Sequence, residues 1–215
     1  MHPCTQIGSI RVESLTGVDA IAPVIPDLAR LRVSVFREYP YLYDGSLAYE
    51  ANYLKRYAAT FGAVVVIARD IANGARIVGA ATALPLAAEH AELLTMFHAA
   101  AIYVDQFYYC AESVLEPSYR RRGIGHAFFD HRERQAQQLG FAETCFFSVV
   151  RPDDHPRRPA DYRPHDRFWS KRGYRKLNGF EASFTWRDLD DSGATPKPMA
   201  LWRRALAQPS EGTPT

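Results

Sequence analysis

Between residues 107 and 139 the hydrophobic period of the chain changes across a short glycine-bearing turn. No other feature constrains the fold as much. Phe107–Leu115 is an apolar run of strand length. Beyond it, Ile124, Ala127, Phe128, Ala136 and Leu139 recur at helical spacing. Between the two stands Arg120-Arg121-Arg122-Gly123-Ile124-Gly125-His126. A strand therefore runs into a turn, and the turn opens a helix. Two glycines let the backbone approach a ligand with no Cβ atom in the way. The first N–H groups of a helix have no intrahelical partner and, with the helix dipole, form an anion site. Three consecutive arginines add positive charge beside it. The turn is expected to hold a phosphate or pyrophosphate.

The rest of the chain organises around this unit. Strands are expected at Ser9–Ser14, Ala63–Arg69, Arg76–Ala83 and Glu143–Val150, with a closing antiparallel pair at Glu181–Arg187 and Met199–Arg204. Asn73-Gly74 marks a hairpin between the second and third of these. Helices are expected at Ile25–Glu38, Leu47–Ala58, Glu89–Ala101 and His165–Arg172, the last ended by Gly173. This order predicts an α/β domain, a mixed sheet with helices on both faces. At 215 residues the chain fits one domain, taken as residues 1–206, with 207–215 a small, polar, disordered tail. Arg151–His165 contains four prolines and so excludes regular structure, yet its Asp, Arg, His and Tyr residues suit a polar ligand.

The turn also resembles motif A of the GNAT family of N-acetyltransferases, (Arg/Gln)-x-x-Gly-x-(Gly/Ala), through Arg120, Gly123 and Gly125. Leu115-Glu116-Pro117-Ser118-Tyr119-Arg120 follows the family's V-x-P-x-x-R approach to it. Phe168-Trp169-Ser170-Lys171-Arg172-Gly173-Tyr174 is similar to the family's later F-Y-x-x-x-G-F segment. The resemblance covers Phe107–Tyr174 and implies a mostly antiparallel mixed sheet and an acetyl-coenzyme A donor. It further implies that N–H groups from Arg121 through Gly125 cradle the pyrophosphate. Val114 and Leu115 would lie along the pantetheine arm, Arg120 and Arg122 would neutralise phosphate, and Ile124 and His126 would stand at the helix start.

Strict alternation along Phe107–Leu115 places Tyr108, Cys110, Glu112 and Val114 on one face. Glu112 is then a carboxylate in an apolar row, the environment that tunes a general base. The competing expectation is a structural carboxylate paired with an arginine, Arg151 being the candidate. Where the family often carries an acidic tyrosine, this sequence has Trp169, which cannot protonate a thiolate; Tyr162, Tyr174 or water remain open. For the acceptor, the candidates are Tyr39, Tyr41, Tyr43 and Asp44 in the first inter-helix turn and Arg151, His155, Tyr162 and Arg163 in the proline-rich loop. Aromatic faces beside a carboxylate suit a cationic amine, and the same tyrosines would equally serve only to seal the helix pair.

A net charge of +2 argues against nucleic-acid or membrane partners. The three cysteines, Cys4, Cys110 and Cys145, have no metal-ligand spacing, and no metal is expected. The start of the chain lacks a signal-peptide layout, so a cytoplasmic location is expected. The function expected is acetyl transfer to a primary amine of a small molecule, by direct attack. A protein amine as acceptor, a non-catalytic acyl-coenzyme A sensor, and a homodimer all stay open.

Overall fold

The computed structural model describes residues 4–207, so the expected tail lies outside the described residues except for Ala207. Nine strands form one mostly antiparallel sheet. Strands β1 (Cys4–Ile7) and β2 (Ile10–Leu15) form a hairpin at Gly8, whose φ of 59° suits the turn. Helices α1 (Val18–Ile21), α2 (Ile25–Phe36) and α3 (Leu47–Ala59) follow. α2 opens with Pro26 in its first turn and ends two residues short of the expected Glu38. Pro40 biases Tyr39 away from helical backbone, so the last turn cannot reach it. Ser46 caps α3 by accepting the Tyr49 N–H.

Strands β3 (Val64–Asp70) and β4 (Arg76–Pro85) form the expected hairpin, with Gly74 left-handed at φ 63°. Next come α4 (Ala91–Ala99), β5 (Phe107–Leu115), α5 (Ile124–Gln138), β6 (Glu143–Val149) and α6 (Asp166–Lys171). The chain closes with β7 (Arg175–Lys176), β8 (Ala182–Trp186) and β9 (Thr195–Ala205). β1 to β5 lie side by side in sequence order, all antiparallel; β5 and β6 are parallel; β9 pairs with β6, β7 and β8.

Helices cover both faces, as expected. Against one face α5 buries Ile124, Phe128 and Ala136 on Val64, Val66, Tyr108 and Phe146. Against the other, α2 and α3 bury Leu28, Leu31, Leu54 and Tyr57 on Val65, Ile67 and Ala80. α4 continues that layer, placing Phe97 on Phe107 and Phe147. Cys110 and Cys145 are buried core residues and Cys4 is exposed. No helix among the described residues is long and apolar enough to cross a membrane.

The strict alternation expected along β5 is interrupted. Thr82 pairs with Glu112, but Leu84 pairs with Tyr109, so β5 carries one extra residue opposite β4. This bulge reverses the side-chain parity. Tyr108 and Cys110 face α5, whereas Glu112 and Val114 face α2 and α3. Glu112 is therefore not in the row of Tyr108 and Cys110.

The β1–β2 hairpin is tied to α5 by His131, which is 1% exposed. Its Nε2 meets the Thr5 hydroxyl at 3.0 Å and its Nδ1 the Ser14 hydroxyl at 2.8 Å. Burial pushes its pKa below the ordinary histidine value. As pH falls, the unfolded chain takes up this proton first, so stability is lost below about pH 6.5. The melting temperature of the native chain should fall more between pH 7 and pH 5 than that of His131→Gln. Parallel pH profiles would show that His131 does not couple protonation to folding.

Candidate functional site

The turn after β5 is anchored before it is shaped. Glu116 accepts from Arg76 at 2.5 and 2.8 Å and from Arg30 at 3.2 Å. Those guanidinium bonds, Arg76 foremost, hold its carboxyl below the usual carboxylate range. Tyr119 donates its hydroxyl to Asp70 at 2.8 Å. The backbone then turns left-handed at Arg121 (φ 62°) and at Gly123 (φ 89°). His126 and Ala127 both donate their N–H to the Gly123 carbonyl. Among the described residues, the N–H groups of Arg121 through Gly125 find no backbone acceptor. A Cβ at Gly123 would meet nothing within 4 Å, so what the position requires is the left-handed φ, in open space. Such a row at a helix start fits a pyrophosphate.

Around it, Arg120 donates to the Leu115 carbonyl at 3.0 Å and to Glu38 at 2.8 Å. The Arg122 guanidinium lies over the Tyr119 ring at 5.2 Å, and Arg121 is exposed. His126 packs its ring on Phe168 at 4.8 Å and meets Arg172 at 3.2 Å, which joins α5 to α6.

β5 and β6 pair only from Phe107↔Glu143 to Tyr109↔Cys145. Beyond Tyr109 the strands part, and residues 110–115, Val114 and Leu115 included, have no strand partner on that side. The gap opens at the carboxyl ends of two parallel strands, where sheets of this kind receive ligands.

On the α2–α3 side of the gap lies a cavity of about 420 Å³. Its charged lining residues are Arg32, Glu50 and Glu112. Arg32 Nε donates to Glu50 Oε2, and Arg32 Nη1 stands 2.7 Å from Glu112 Oε2. The Arg32 guanidinium also covers the Tyr53 ring at 4.5 Å and the Phe36 ring at 5.0 Å. Glu50 Oε1 and Glu112 Oε1 are buried without a hydrogen-bond partner. The remaining wall is largely aromatic: Tyr41, Tyr43, Tyr53, Tyr109, Phe147, Phe184 and Trp186. Burial pushes the Tyr41 phenol up to about 12, and burial likewise raises Tyr43 and Tyr53, so all three are neutral near pH 7.

Of the residues expected around an acceptor, Tyr41 and Tyr43 line this cavity. Tyr39 instead packs on His155 and Tyr162, with ring centroids at 5.7 and 4.6 Å. Asp44 is paired with Arg37 and Arg187. Arg163 is exposed. Arg151 is not the partner of Glu112; Arg32 is. Arg151 holds Asp188 at 2.7 and 2.9 Å and donates to the Pro40 and Tyr41 carbonyls at 2.8 and 2.7 Å. Trp169 packs between Phe146 and Trp202, at 5.0 and 5.2 Å. Tyr174, a candidate acid, is 1% exposed, its hydroxyl bonded to Thr144 and Glu133, far from solvent.

Sequence reasoning missed Arg32, Glu50, Tyr53 and Trp186. For two of them a signal existed. Arg32 interrupts the buried stripe Leu28–Arg32–Phe36 of α2, and Glu50 heads the buried stripe Glu50–Leu54–Tyr57 of α3. A charge at a core-facing position needs a partner, and each supplies the other's. No group of three or more His, Cys, Asp or Glu among the described residues could hold a metal ion.

The family model described as "Acetyltransferase (GNAT) family" matches residues 28–160, more than half of the chain. No curated relative matches the sequence. Among solved structures, yncA of Salmonella typhimurium, a putative acetyltransferase with acetyl-CoA, superposes with a TM-score of 0.58 at 8% identity, over 97% of this chain and 100% of its own. A phosphinothricin acetyltransferase from Sinorhizobium meliloti, in complex with AcCoA, gives 0.54 at 18%, over 95% and 93%. The ribosomal-protein-S18-alanine N-acetyltransferase of Escherichia coli gives 0.52 at 11%, over 96% and 99%.

The Arg151 contacts carry a stability expectation. Arg151→Ala leaves buried Asp188 with Lys197, at 3.3 Å, as its remaining cation, frees the Pro40 carbonyl and leaves the Tyr41 carbonyl to the Trp186 indole N–H alone. Removing one partner of such a pair costs on the order of 3 kcal/mol, which calorimetry would read as a drop of several degrees. An unchanged melting temperature would mean that this clamp does not hold the turn.

Proposed function

The chain belongs to the GNAT acetyltransferase family, and we propose that it transfers an acetyl group from acetyl-coenzyme A to the primary amine of a small molecule, with Glu112 as general base. The thioester, when bound, supplies a reactive carbonyl and a thiol leaving group. The chain's own residues do the rest. N–H groups of Arg121 through Gly125 hold the pyrophosphate, and the gap beyond Tyr109 receives the arm. The arm's end then meets the cavity beside Glu112.

One observation carries this reading: the Glu112 side chain, 8% exposed, lines an aromatic cavity at the mouth of the gap and is held there by Arg32. A carboxylate lining such a cavity attracts an arriving ammonium. Arg32 holds the carboxylate through Oε2, which fixes its place for the proton it removes. The acceptor nitrogen, once neutral, attacks the carbonyl carbon from a fixed position; the carbon–sulfur bond breaks, the thiolate takes the second proton that the nitrogen sheds, and positioning supplies much of the rate. A cavity of about 420 Å³ with an aromatic wall suits a small molecule.

Two outcomes test this. Acetyl-coenzyme A should raise the melting temperature of the native chain by mass action. Gly123→Val should abolish that rise, because a β-branched residue resists the φ of 89° on which the N–H row depends. Equal rises in both proteins would remove the pyrophosphate assignment. Glu112→Gln should keep the rise yet lose about 100-fold or more in thiol release with an amine acceptor, with partial recovery at high pH. Full turnover by that variant at neutral pH would sink Glu112 as the base.

A further inference from the structure

We infer that the acceptor is an arylalkyl monoamine: one primary amine on a flat apolar body, with no acidic group. This deepens the proposed function and rests on it. The argument begins with the charges in the cavity. Glu50 is fully buried, and the Glu112 side chain is 8% exposed against 11% for Arg32. These are the charged groups of the lining, and the phenols of Tyr41, Tyr43 and Tyr53 are neutral. Two carboxylates thus share one guanidinium, and one negative charge is left without a counter-charge. One ammonium brings the cavity to neutrality.

The same sum rejects the neighbouring classes of amine. An amino acid brings a carboxylate with its ammonium and leaves the deficit in place. Its only cation would be Arg32, already ion-paired with Glu50 and Glu112 and covered by the Tyr53 and Phe36 rings. A diamine overcompensates by one positive charge. Asp44 does not alter the sum, since Arg37 and Arg187 hold it outside the lining. The body of the acceptor is set by the walls. Tyr41, Phe147, Phe184 and Trp186 offer ring faces and edges, which pack best on another ring. Bulk apolar amines without a ring would lose that geometry.

The test uses pairs that share a body and differ in the carboxylate: phenethylamine against phenylalanine and tryptamine against tryptophan. Putrescine and an alanine-led peptide complete the panel. Thiol release from acetyl-coenzyme A should give kcat/KM for each arylalkylamine about 100-fold or more above its amino acid, putrescine and the peptide. Phenethylamine alone should raise the melting temperature, and phenylalanine should not. In Glu50→Gln the cavity is neutral when empty, so the phenethylamine-to-phenylalanine ratio should shrink about 10-fold, with the rise due to acetyl-coenzyme A unchanged. The panel on the native chain decides the matter even if that variant does not fold. Equal or better turnover of an amino acid, putrescine or the peptide overturns the inference while leaving acetyl transfer standing. No release with any amine removes the proposed transfer instead. The melting shifts then decide the class: a rise with phenethylamine alone supports it, and no difference between the pair overturns it.

Discussion

The site depends on how one buried arginine settles the bulge in β5. An extra residue opposite β4 leaves backbone carbonyls out of register, and in a sheet interior those must find donors. Arg132 of α5, 1% exposed, reaches through the α5 face and donates Nη1 to the Glu112 carbonyl at 2.9 Å and to the Thr82 carbonyl at 3.4 Å. Its Nε returns to the Phe128 carbonyl in its own helix at 3.2 Å. With the bulge satisfied from behind, the side chain of Glu112 is free to point the other way, into the cavity. The strands also begin to part next to this irregularity, since the last β5–β6 pair is Tyr109↔Cys145. One local defect thus sets both the direction of the carboxylate and the opening beside it.

The defect also marks where the sequence stopped being legible. The strand–turn–helix form of Phe107–Gln138 could be read because its signals are local: two glycines, a change of period, a helix start. The bounds of β5 and most of α5 followed from the same run. A bulge is a property of two strands, and nothing within Phe107–Leu115 announces that β4 pairs with one residue fewer. Strict alternation therefore put Glu112 on the wrong face while still picking it out. β1 and β7 escaped for a different reason. β1 is a partly exposed edge strand of four residues and β7 has two, so neither has an apolar period to detect. Arg32 and Glu50 were readable in principle as charges within apolar stripes. That they meet each other and Glu112 required the packing of α2 on α3.

The two segments assigned to the acceptor from sequence turn out to be one braced unit. The Arg151–His165 loop does not fold over the cavity; it grips the Tyr39–Asp44 turn from outside. Tyr39 lies against His155 and Tyr162, and Arg151 fixes the Pro40 and Tyr41 carbonyls while bonding Asp188. Trp186 adds an indole N–H to the Tyr41 carbonyl at 3.1 Å. With its backbone held on one side, the turn presents Tyr41 and Tyr43 on the other. Residues outside the lining then still act on it, because they set the backbone that carries the rings.

α2 connects this cavity to the anion turn. Two of its arginines, one turn-half apart, address the same strand at two points: Arg32 meets Glu112 within β5, and Arg30 meets Glu116 just past its end. Glu116 is shared with Arg76 of β4, so the turn is pinned to both the helix and the neighbouring strand. Arg32 is shared in the opposite sense, one guanidinium between two carboxylates. The anion turn is therefore surrounded by surplus positive charge, and the cavity holds surplus negative charge. The two surpluses, of opposite sign, lie within and just past the C-terminal half of one strand. The gap between β5 and β6 is the path along which a ligand with an anionic end and an acceptor arriving as a cation can meet.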